Sequence, residues 1–319
     1  MHVVRMLYLR SAALRAGVEG MSAMSKRADS RASSFDDDRP SWMDSGNSFF
    51  GHAGHTSDLI VLDFESFAKG GKPGGGGGGS GGGDTGGTTF PNYISGTSLA
   101  NSQEFNIEIV FKGTWDQSYV DQFIKAADYI TQYIKGDVQD VLFRGAVIDD
   151  LKITAEMTAI DGVGGILGQA GPTAIRGASS TDAYLPATAI MQFDIADAGR
   201  YAYDFDAIIL HEMLHSVGFG SVWSYFPGLV SGGTFNGDSA VDAYYAEFSV
   251  STGGIPVEQQ GGSGTAGAHW DEDTFNTELM TGYIDPFPSD MYVADMTIAS
   301  LADLGYTLGV APYASPDWV

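Results

Sequence analysis

Residues 211–219 of this 319-residue chain read His211-Glu212-Met213-Leu214-His215-Ser216-Val217-Gly218-Phe219. Residues four apart on an α-helix lie on the same face, so His211 and His215 can both reach one metal ion. Two neutral imidazoles held in this way are typical ligands of zinc. Glu212 lies beside the first of them, where it can take a proton from a zinc-bound water. The stretch therefore predicts a helical zinc site with a neighbouring general base.

The flanking residues predict where this helix begins and ends. Asp204 or Asp206 can cap its first turn, and Gly218 can adopt the left-handed conformation that ends a helix. Four apolar residues recur at helical spacing and predict a stripe that faces the core: Ala207, Leu210, Leu214 and Val217. We therefore expect a helix over Asp204–Val217.

Three other segments alternate between apolar and polar residues and are predicted to be strands: Phe105–Phe111, Leu151–Ala159 and Thr188–Ile195. A helix is expected between the first two, capped by Thr114 or Asp116 and ended by Gly136. The glycine-rich stretch Asp161–Gly171 is predicted to be a loop. Strand, helix, strands and the histidine helix follow one another in this order, which indicates an α+β fold: a twisted mixed sheet backed by helices.

Composition divides the chain into four parts. Residues 1–69 are predicted to be poorly ordered, because much of that region is rich in Ser, Asp, Gly and Arg. Residues 70–100 begin with a nearly pure glycine tract, which behaves as a flexible linker. Residues 101–219 form the predicted catalytic subdomain with the histidine helix, and residues 220–319 form a smaller C-terminal subdomain. Two helices are expected in this last part: Asp238–Phe248 and Val293–Leu304.

The overall composition excludes several classes of function. The net charge of −24, with 16 basic residues, argues against nucleic acid and anionic membrane surfaces as partners. The sequence has no run of about 18 apolar residues, so no transmembrane segment is expected. Cysteine is absent, which excludes disulfides, thiolate zinc ligands and a cysteine nucleophile.

The N-terminal residues do not form a clear cleavable signal peptide, because Arg5 and Arg10 interrupt the apolar stretch Val3–Leu9. An acidic chain without cysteine and without such a signal is consistent with bacterial export in one step. This pattern favours an extracellular or cell-surface location.

A catalytic zinc site needs three protein ligands and one water, so the helix supplies only part of it. The compact metzincin motif would place the third histidine six residues after His215, but that position is Ser221. A distant histidine or a downstream glutamate, as in gluzincins, can complete the site instead. His269 is the only histidine C-terminal to the helix, and its presence favours the first solution.

The surroundings of His269 carry a family resemblance. It lies in Ala268-His269-Trp270-Asp271-Glu272, and the chain then continues to Thr277-Glu278-Leu279-Met280-Thr281-Gly282-Tyr283. Over about Phe105–Gly309 the sequence resembles the leishmanolysin family of zinc metallopeptidases, of the metzincin clan, in its bacterial form. That family has a long insertion between the helix and the third histidine. The third histidine is followed by a tryptophan and then by a Glu-Leu-Met segment that forms the Met-turn.

The resemblance implies a metzincin-like fold, with the active-site helix on a twisted mixed sheet and a smaller C-terminal subdomain. It implies a zinc site with the following members: His211, His215 and His269 as metal ligands, Glu212 as general base, Gly218 at the helix-ending turn and Met280 in the Met-turn beneath the metal. It also implies that an extended substrate pairs with the strand Thr188–Ile195. Tyr283 is a candidate contact to the oxyanion or substrate, and simple packing is the alternative role for it.

The function expected from this resemblance is that of a zinc-dependent endopeptidase, which hydrolyses peptide bonds in a protein or peptide substrate by Glu-assisted attack of a zinc-bound water. Residues 1–69 are then a candidate pro-region. The cysteine-based latency known in the family cannot apply to a chain that has no cysteine.

Two alternative functions remain open. The first is a gluzincin-type zinc peptidase, in which Glu247, Glu258 or Glu272 is the third ligand. The second is a non-catalytic zinc-containing surface or adhesion module. Glu212 argues against this second alternative, because a structural zinc site needs a fourth protein ligand and no base.

Overall fold

The computed structural model describes residues 4–5, 8–9, 59–62, 87–96, 104–284, 291–309 and 311. All of them belong to one of the two units into which the chain divides, the unit made of residues 1–10 and 57–319. Most of the N-terminal region expected to be poorly ordered, and most of the glycine linker, lie outside the described residues. The expected subdomains 101–219 and 220–319 both fall within this one unit.

Strands and helices are both numerous in the described residues, which confirms the α+β class. The strands are β1 (Val4–Arg5), β2 (Tyr8–Leu9), β3 (Leu59–Val61), β4 (Tyr93–Ile94), β5 (Ile107–Lys112), β6 (Val141–Phe143), β7 (Ala146–Ile148), β8 (Leu151–Thr158), β9 (Gly168–Arg176), β10 (Pro186–Asp194), β11 (Val230–Ser231), β12 (Thr234–Phe235), β13 (Ile255–Pro256) and β14 (Tyr283–Ile284). The helices are α1 (Gln117–Tyr133), α2 (Ile195–Ala198), α3 (Phe205–Ser216), α4 (Asp238–Phe248), α5 (Glu272–Phe275) and α6 (Asp295–Asp303).

The main sheet of the described residues has seven strands, in the order β1-β9-β10-β8-β5-β4, with β3 also paired to β9. β5, β8 and β10 run parallel, so that Ile109, Ile153 and Ala189 lie side by side in the middle of the sheet. β9 runs antiparallel to β10 and makes the sheet mixed. The three strands predicted from alternation are β5, β8 and β10, and their prediction is confirmed.

The prediction of a loop over Asp161–Gly171 is wrong in its second half. The loop ends at Leu167, and β9 begins at Gly168. Glycine and proline are unfavourable in strands, and β9 contains both, including Pro172. Gly168 has a physical reason to be glycine, because a Cβ there would lie 3.0 Å from Cγ of Glu212. The contact of this backbone with the histidine helix requires glycine, and the glycine made the strand look like a loop in the sequence.

The expectation that an extended substrate pairs with Thr188–Ile195 is also wrong. Thr188–Asp194 belong to β10, which is hydrogen-bonded to β8 on one side and to β9 on the other, and Ile195 begins α2. A strand with two paired edges has no free N–H and C=O groups to offer to a peptide. On the side of β9, only the short strands β1 and β3 lie further out.

The first helix, α1, begins after Asp116, as predicted. It ends at Tyr133, before Gly136, because the backbone is extended at Ile134, which forms a β-bridge with Leu308. The prediction that Gly136 ends this helix is therefore wrong by about one helical turn.

The histidine helix, α3, packs against β9 and β10 and against α1. It is buried on all sides from Ala207 to Ser216, so the predicted apolar stripe is only part of its buried surface. α4 has the predicted bounds, α6 lies within the predicted range, and the two helices pack against each other. No helix among the described residues is both long and apolar enough to cross a membrane.

A buried aspartate fixes the loop that leads into β9. One carboxyl oxygen of Asp194 accepts hydrogen bonds from the backbone N–H groups of Ile160, Asp161 and Gly162, and the other accepts from Ala196 at the start of α2. Burial alone would raise the pKa of Asp194, but these N–H donors outweigh it and lower the pKa. The carboxylate thus holds the loop beside the strand that contacts Glu212.

Candidate metal centre

Three imidazoles meet in the interior, two from α3 and one from the segment before α5. The Nε2 atoms of His211 and His215 are 2.9 Å apart, and the Nε2 atom of His269 lies 3.2 Å from that of His211 and 3.1 Å from that of His215. All three side chains are completely buried. The structure thus brings the predicted distant histidine to the pair on the helix.

Each imidazole is oriented by a backbone carbonyl. Nδ1 of His211 donates to the carbonyl of Leu279 (2.7 Å), Nδ1 of His215 to that of Phe219 (2.9 Å) and Nδ1 of His269 to that of Thr265 (3.0 Å). A carbonyl oxygen can only accept, so these contacts assign the ring proton to Nδ1. The Nε2 lone pairs of all three rings therefore face one another.

Three lone pairs at this distance repel unless a cation lies between them. In a tetrahedral zinc site with Zn–N bonds of about 2.0–2.1 Å, ligand nitrogens are about 3.3 Å apart. The observed separations of 2.9–3.2 Å are close to that value. The geometry of the three nitrogens thus fits a zinc ion.

Burial also sets the protonation state of the three rings. It lowers the pKa of His211 and His215 well below the ordinary histidine value, with a further contribution from the neighbouring imidazoles. It lowers the pKa of His269 to about 4. Neutral imidazole is the form that binds a metal, so the rings, each protonated only at Nδ1, can act as ligands through Nε2.

The end of α3 presents the carbonyl that orients His215. Gly218 has φ of 118°, and the N–H groups of Gly218 and Phe219 donate to the carbonyls of His215 and Leu214. This pair of hydrogen bonds is a Schellman motif, which needs a residue in the left-handed region. Gly218 therefore ends the helix as predicted, and the turn brings the carbonyl of Phe219 back to Nδ1 of His215.

Two residues beyond this turn guide the chain toward the third histidine. Ser221, which replaces the histidine of the compact motif, is buried and donates its hydroxyl hydrogen to the carbonyl of His215 (2.7 Å). Gly220 has φ of 68°, and a Cβ there would overlap the carbonyl oxygen of Ala268, the residue before His269. The absence of a side chain at Gly220 therefore permits the close approach of the two segments.

Glu212 follows His211 on α3, and its side chain lies against Gly168 of β9. Its side chain is completely buried, and neither of its carboxyl oxygens has a hydrogen-bond partner among the described residues. Burial raises the pKa of Glu212 well above its ordinary value. A buried carboxylate without donors, on the same helix as two of three convergent imidazoles, is consistent with a site for a cation and its water.

The segment of the predicted Met-turn contacts the cluster through the backbone of Leu279. Leu279 supplies the carbonyl that orients His211, and Met280, which follows it, is completely buried. Tyr283 is half-buried and begins β14, which runs parallel to β2 with Tyr283 opposite Tyr8. The contact of Tyr283 with an oxyanion or substrate stays a prediction.

The glutamates considered as a third ligand do not join the cluster. Among the described residues, two groups of at least three side chains could share a metal ion: one consists of His211, His215 and His269, and the other of Asp137, Asp149 and Asp150. Neither group contains Glu247, Glu258 or Glu272. The carboxylate of Glu258 instead accepts hydrogen bonds from the N–H groups of Gln260 and Glu272.

Sequence reasoning missed several groups that shape the site. The three orienting carbonyls cannot be read from a sequence, because every residue has one. Gly168 and Gly220 could have been noticed as isolated glycines near the motif residues. Glu278 was seen only as part of the Glu-Leu-Met segment. In the structure it is completely buried, and burial raises its pKa to about 7, although hydrogen bonds from Thr297, Ala294 and Met280 oppose that rise.

An α+β fold with a buried His-Glu-x-x-His helix and a converging third histidine is the arrangement of a metallopeptidase. The family model of leishmanolysin matches residues 239–313, which contain His269 and Met280 and begin downstream of α3. This part of the chain is leishmanolysin-like, and the match supports a peptidase that acts on proteins or peptides. No curated protein and no solved structure matches the chain.

We predict that Gly220→Ala destabilises the protein by more than about 2 kcal/mol and lowers its zinc content, because the new methyl group displaces the segment that holds His269. The matched control is Gly228→Ala, at an exposed glycine with φ of 84° and open space around its Cα. That variant should show only the cost of the left-handed backbone, about 1 kcal/mol, and full zinc content. Urea unfolding and metal analysis measure both effects, and equal behaviour of the two variants would contradict the close-approach explanation.

Proposed function

We propose that this protein is a zinc-dependent endopeptidase in which His211, His215 and His269 bind the metal. The observation that carries the proposal is the meeting of three Nε2 lone pairs. The buried carboxylate of Glu212, on the same helix as two of these rings, has no hydrogen-bond partner among the described residues and agrees with it. The leishmanolysin-like character of residues 239–313 supports the same conclusion independently, because that match does not include α3.

The proposed chemistry divides between the metal and Glu212. Zinc bound by three imidazoles acts as a Lewis acid, which acidifies water and polarises a peptide carbonyl. Glu212 would accept a proton from the attacking water and deliver it to the nitrogen of the leaving amine as the C–N bond breaks. Its burial supports this role, because a carboxylate with a raised pKa can hold a proton between the two transfers.

The outer edge of β9 is the proposed docking edge for an extended substrate. β9 begins at Gly168, in contact with Glu212, and it is the outermost long strand on that side of the sheet. A peptide added there would bind through main-chain hydrogen bonds, which suits an enzyme that accepts many sequences. This edge replaces β10, whose two sides are both occupied.

Parts of the N-terminal region cover this edge and support its role as a pro-region. β1 pairs antiparallel with β9 at Gln169 and Ala170, and β3 pairs antiparallel with residues 174–176. β2, only two residues after β1, pairs with β14 just downstream of Met280. A substrate strand on β9 would have to displace these segments, so we propose that they limit access to the site. An extracellular or cell-surface location, common among leishmanolysin-like proteins, belongs to the same proposal.

We predict that Glu212→Gln abolishes casein cleavage, with a rate loss of at least about 100-fold, because the amide cannot accept the proton of water. Zinc content and thermal stability should stay close to those of the wild type, since Glu212 is not a ligand. Glu247→Gln is the matched control: Glu247 lies on α4, and the variant should keep both activity and metal. Full activity of Glu212→Gln would show that another group is the base.

We predict that His269→Ala loses most of its bound zinc in a dialysis experiment, because only two protein ligands remain. Glu258→Gln should keep its zinc, since Glu258 bonds the backbone of Gln260 and Glu272 rather than facing the histidines. The opposite pattern, with zinc lost from Glu258→Gln and kept by His269→Ala, would establish the gluzincin-type alternative.

We predict that Leu62→Pro raises the initial rate of peptide cleavage several-fold. The N–H of Leu62 donates to the carbonyl of Thr173 in β9 (2.8 Å), and proline has no such hydrogen, so β3 should leave the edge more readily. Val61→Ser is the control, because the Val61 side chain is 60% exposed and the change leaves the backbone bonds intact. Equal rates for wild type and Leu62→Pro would refute a covering role for β3.

A further inference from the structure

Glu278 is a buried carboxylate outside the histidine cluster whose role the proposed chemistry does not explain. Its side chain is completely buried and accepts three hydrogen bonds: from the N–H of Met280 (2.6 Å), the hydroxyl of Thr297 (2.6 Å) and the N–H of Ala294 (3.1 Å). All three donors are neutral, and none of the ion pairs among the described residues includes Glu278. Burying a carboxylate without a neighbouring cation is energetically unfavourable, so these three hydrogen bonds are needed to stabilise it.

The first set of contacts fixes the carbonyl that orients His211. By accepting the N–H of Met280, Glu278 folds the chain around Leu279, the residue between them. The N–H of Leu279 is held on the other side by the carbonyl of Tyr292 (2.7 Å). The peptide plane of Leu279 is thus fixed, with its carbonyl against Nδ1 of His211.

The second set of contacts reaches His269 through its neighbour, Trp270. The hydroxyl of Thr297 donates to Glu278 and accepts from the indole N–H of Trp270 (2.8 Å). The backbone N–H of Trp270 donates to the carbonyl of Met280 (3.0 Å). Both ends of Trp270 are therefore attached to groups that Glu278 holds, and Trp270 follows His269 directly in the chain.

We propose that Glu278 is a positioning residue that orients His211 through Leu279 and His269 through Thr297 and Trp270. The inference rests on the proposed zinc site and adds a determinant of its metal affinity. Groups that orient metal-binding imidazoles typically change metal affinity by about 10–100-fold when they are removed. Glu278 links the two imidazoles that come from different parts of the chain.

The test compares Glu278→Gln with Asp150→Asn in the full-length protein. Asp150 is also buried, and its two oxygens accept the backbone N–H groups of Asn106 (2.6 Å) and Val138 (2.7 Å), away from the histidines. Both changes therefore replace a buried carboxyl group that accepts backbone hydrogen bonds with an amide of the same shape. Zinc affinity is measured by competition with a chelating dye, and ligand geometry by the visible absorption spectrum of the Co²⁺-substituted protein.

We expect both variants to melt at lower temperature but only Glu278→Gln to bind zinc about 10–100-fold more weakly and to alter the cobalt spectrum. Wild-type affinity and spectrum in Glu278→Gln would overturn the proposal. An equal loss of affinity in Asp150→Asn would overturn it too, because a general loss of stability would then explain the effect.

If Glu278→Gln does not fold, the zinc affinities of Thr297→Val and Thr297→Ser test the positioning role instead. Valine has the shape of threonine but lacks the hydroxyl that joins Trp270 to Glu278, whereas serine keeps it. Weaker zinc binding by Thr297→Val, with near-normal binding by Thr297→Ser, supports the positioning role. Wild-type zinc binding by Thr297→Val would reject it.

Casein cleavage measured in parallel separates this inference from the proposed function. A wild-type protein that binds zinc but cleaves nothing would refute the peptidase and leave the affinity comparison valid. A wild-type protein that cleaves casein, together with unchanged zinc binding in the variants, would refute only the role of Glu278.

Discussion

The site depends on three hydrogen bonds from imidazole Nδ1 atoms to backbone carbonyls. They hold the rings of His211, His215 and His269 in one tautomer, so that three lone pairs converge in a completely buried space. The buried carboxylate of Glu212, on the same helix as two of these rings, has no hydrogen-bond partner among the described residues. Both features are electrostatically unfavourable, and a divalent cation bound by the three rings would relieve the repulsion between their lone pairs. Unfavourable electrostatic interactions are thus concentrated at this one site, which is common at functional sites.

Close backbone approach determines the shape around these rings. Gly168 lets the first residue of β9 touch Glu212, Gly218 lets α3 end in a turn that returns a carbonyl to His215, and Gly220 lets the following segment contact Ala268. These three glycines connect the sheet, the helix and the downstream segment. The same arrangement places β9 in contact with Glu212, and the outer edge of β9 carries pairs with β1 and β3 rather than with a long strand.

Much of this could be predicted from local sequence patterns. Alternation of apolar residues identified β5, β8 and β10, and the spacing of His211 and His215 identified the helix and the shared face of the two imidazoles. β9 could not be predicted, because glycine and proline are unfavourable in strands, and the contact of Gly168 with the neighbouring helix is not visible in the sequence. The pairing of β10 on both edges could not be predicted from local patterns either, because the order of strands in a sheet depends on contacts between residues far apart in sequence. The resemblance placed His269 correctly beside the helix, whereas the roles of the orienting carbonyls and of Glu278 depend on backbone geometry that residue types do not encode.

The separation of the ligands along the chain has a consequence for biosynthesis. His269 lies 58 residues after His211, and the carbonyl that orients His211 belongs to Leu279, still further along. A nascent or truncated polypeptide that stops before this point has the two helical histidines without their third partner or their support. The cluster of three converging imidazoles therefore forms only after the Leu279 region has been synthesised and has docked onto α3.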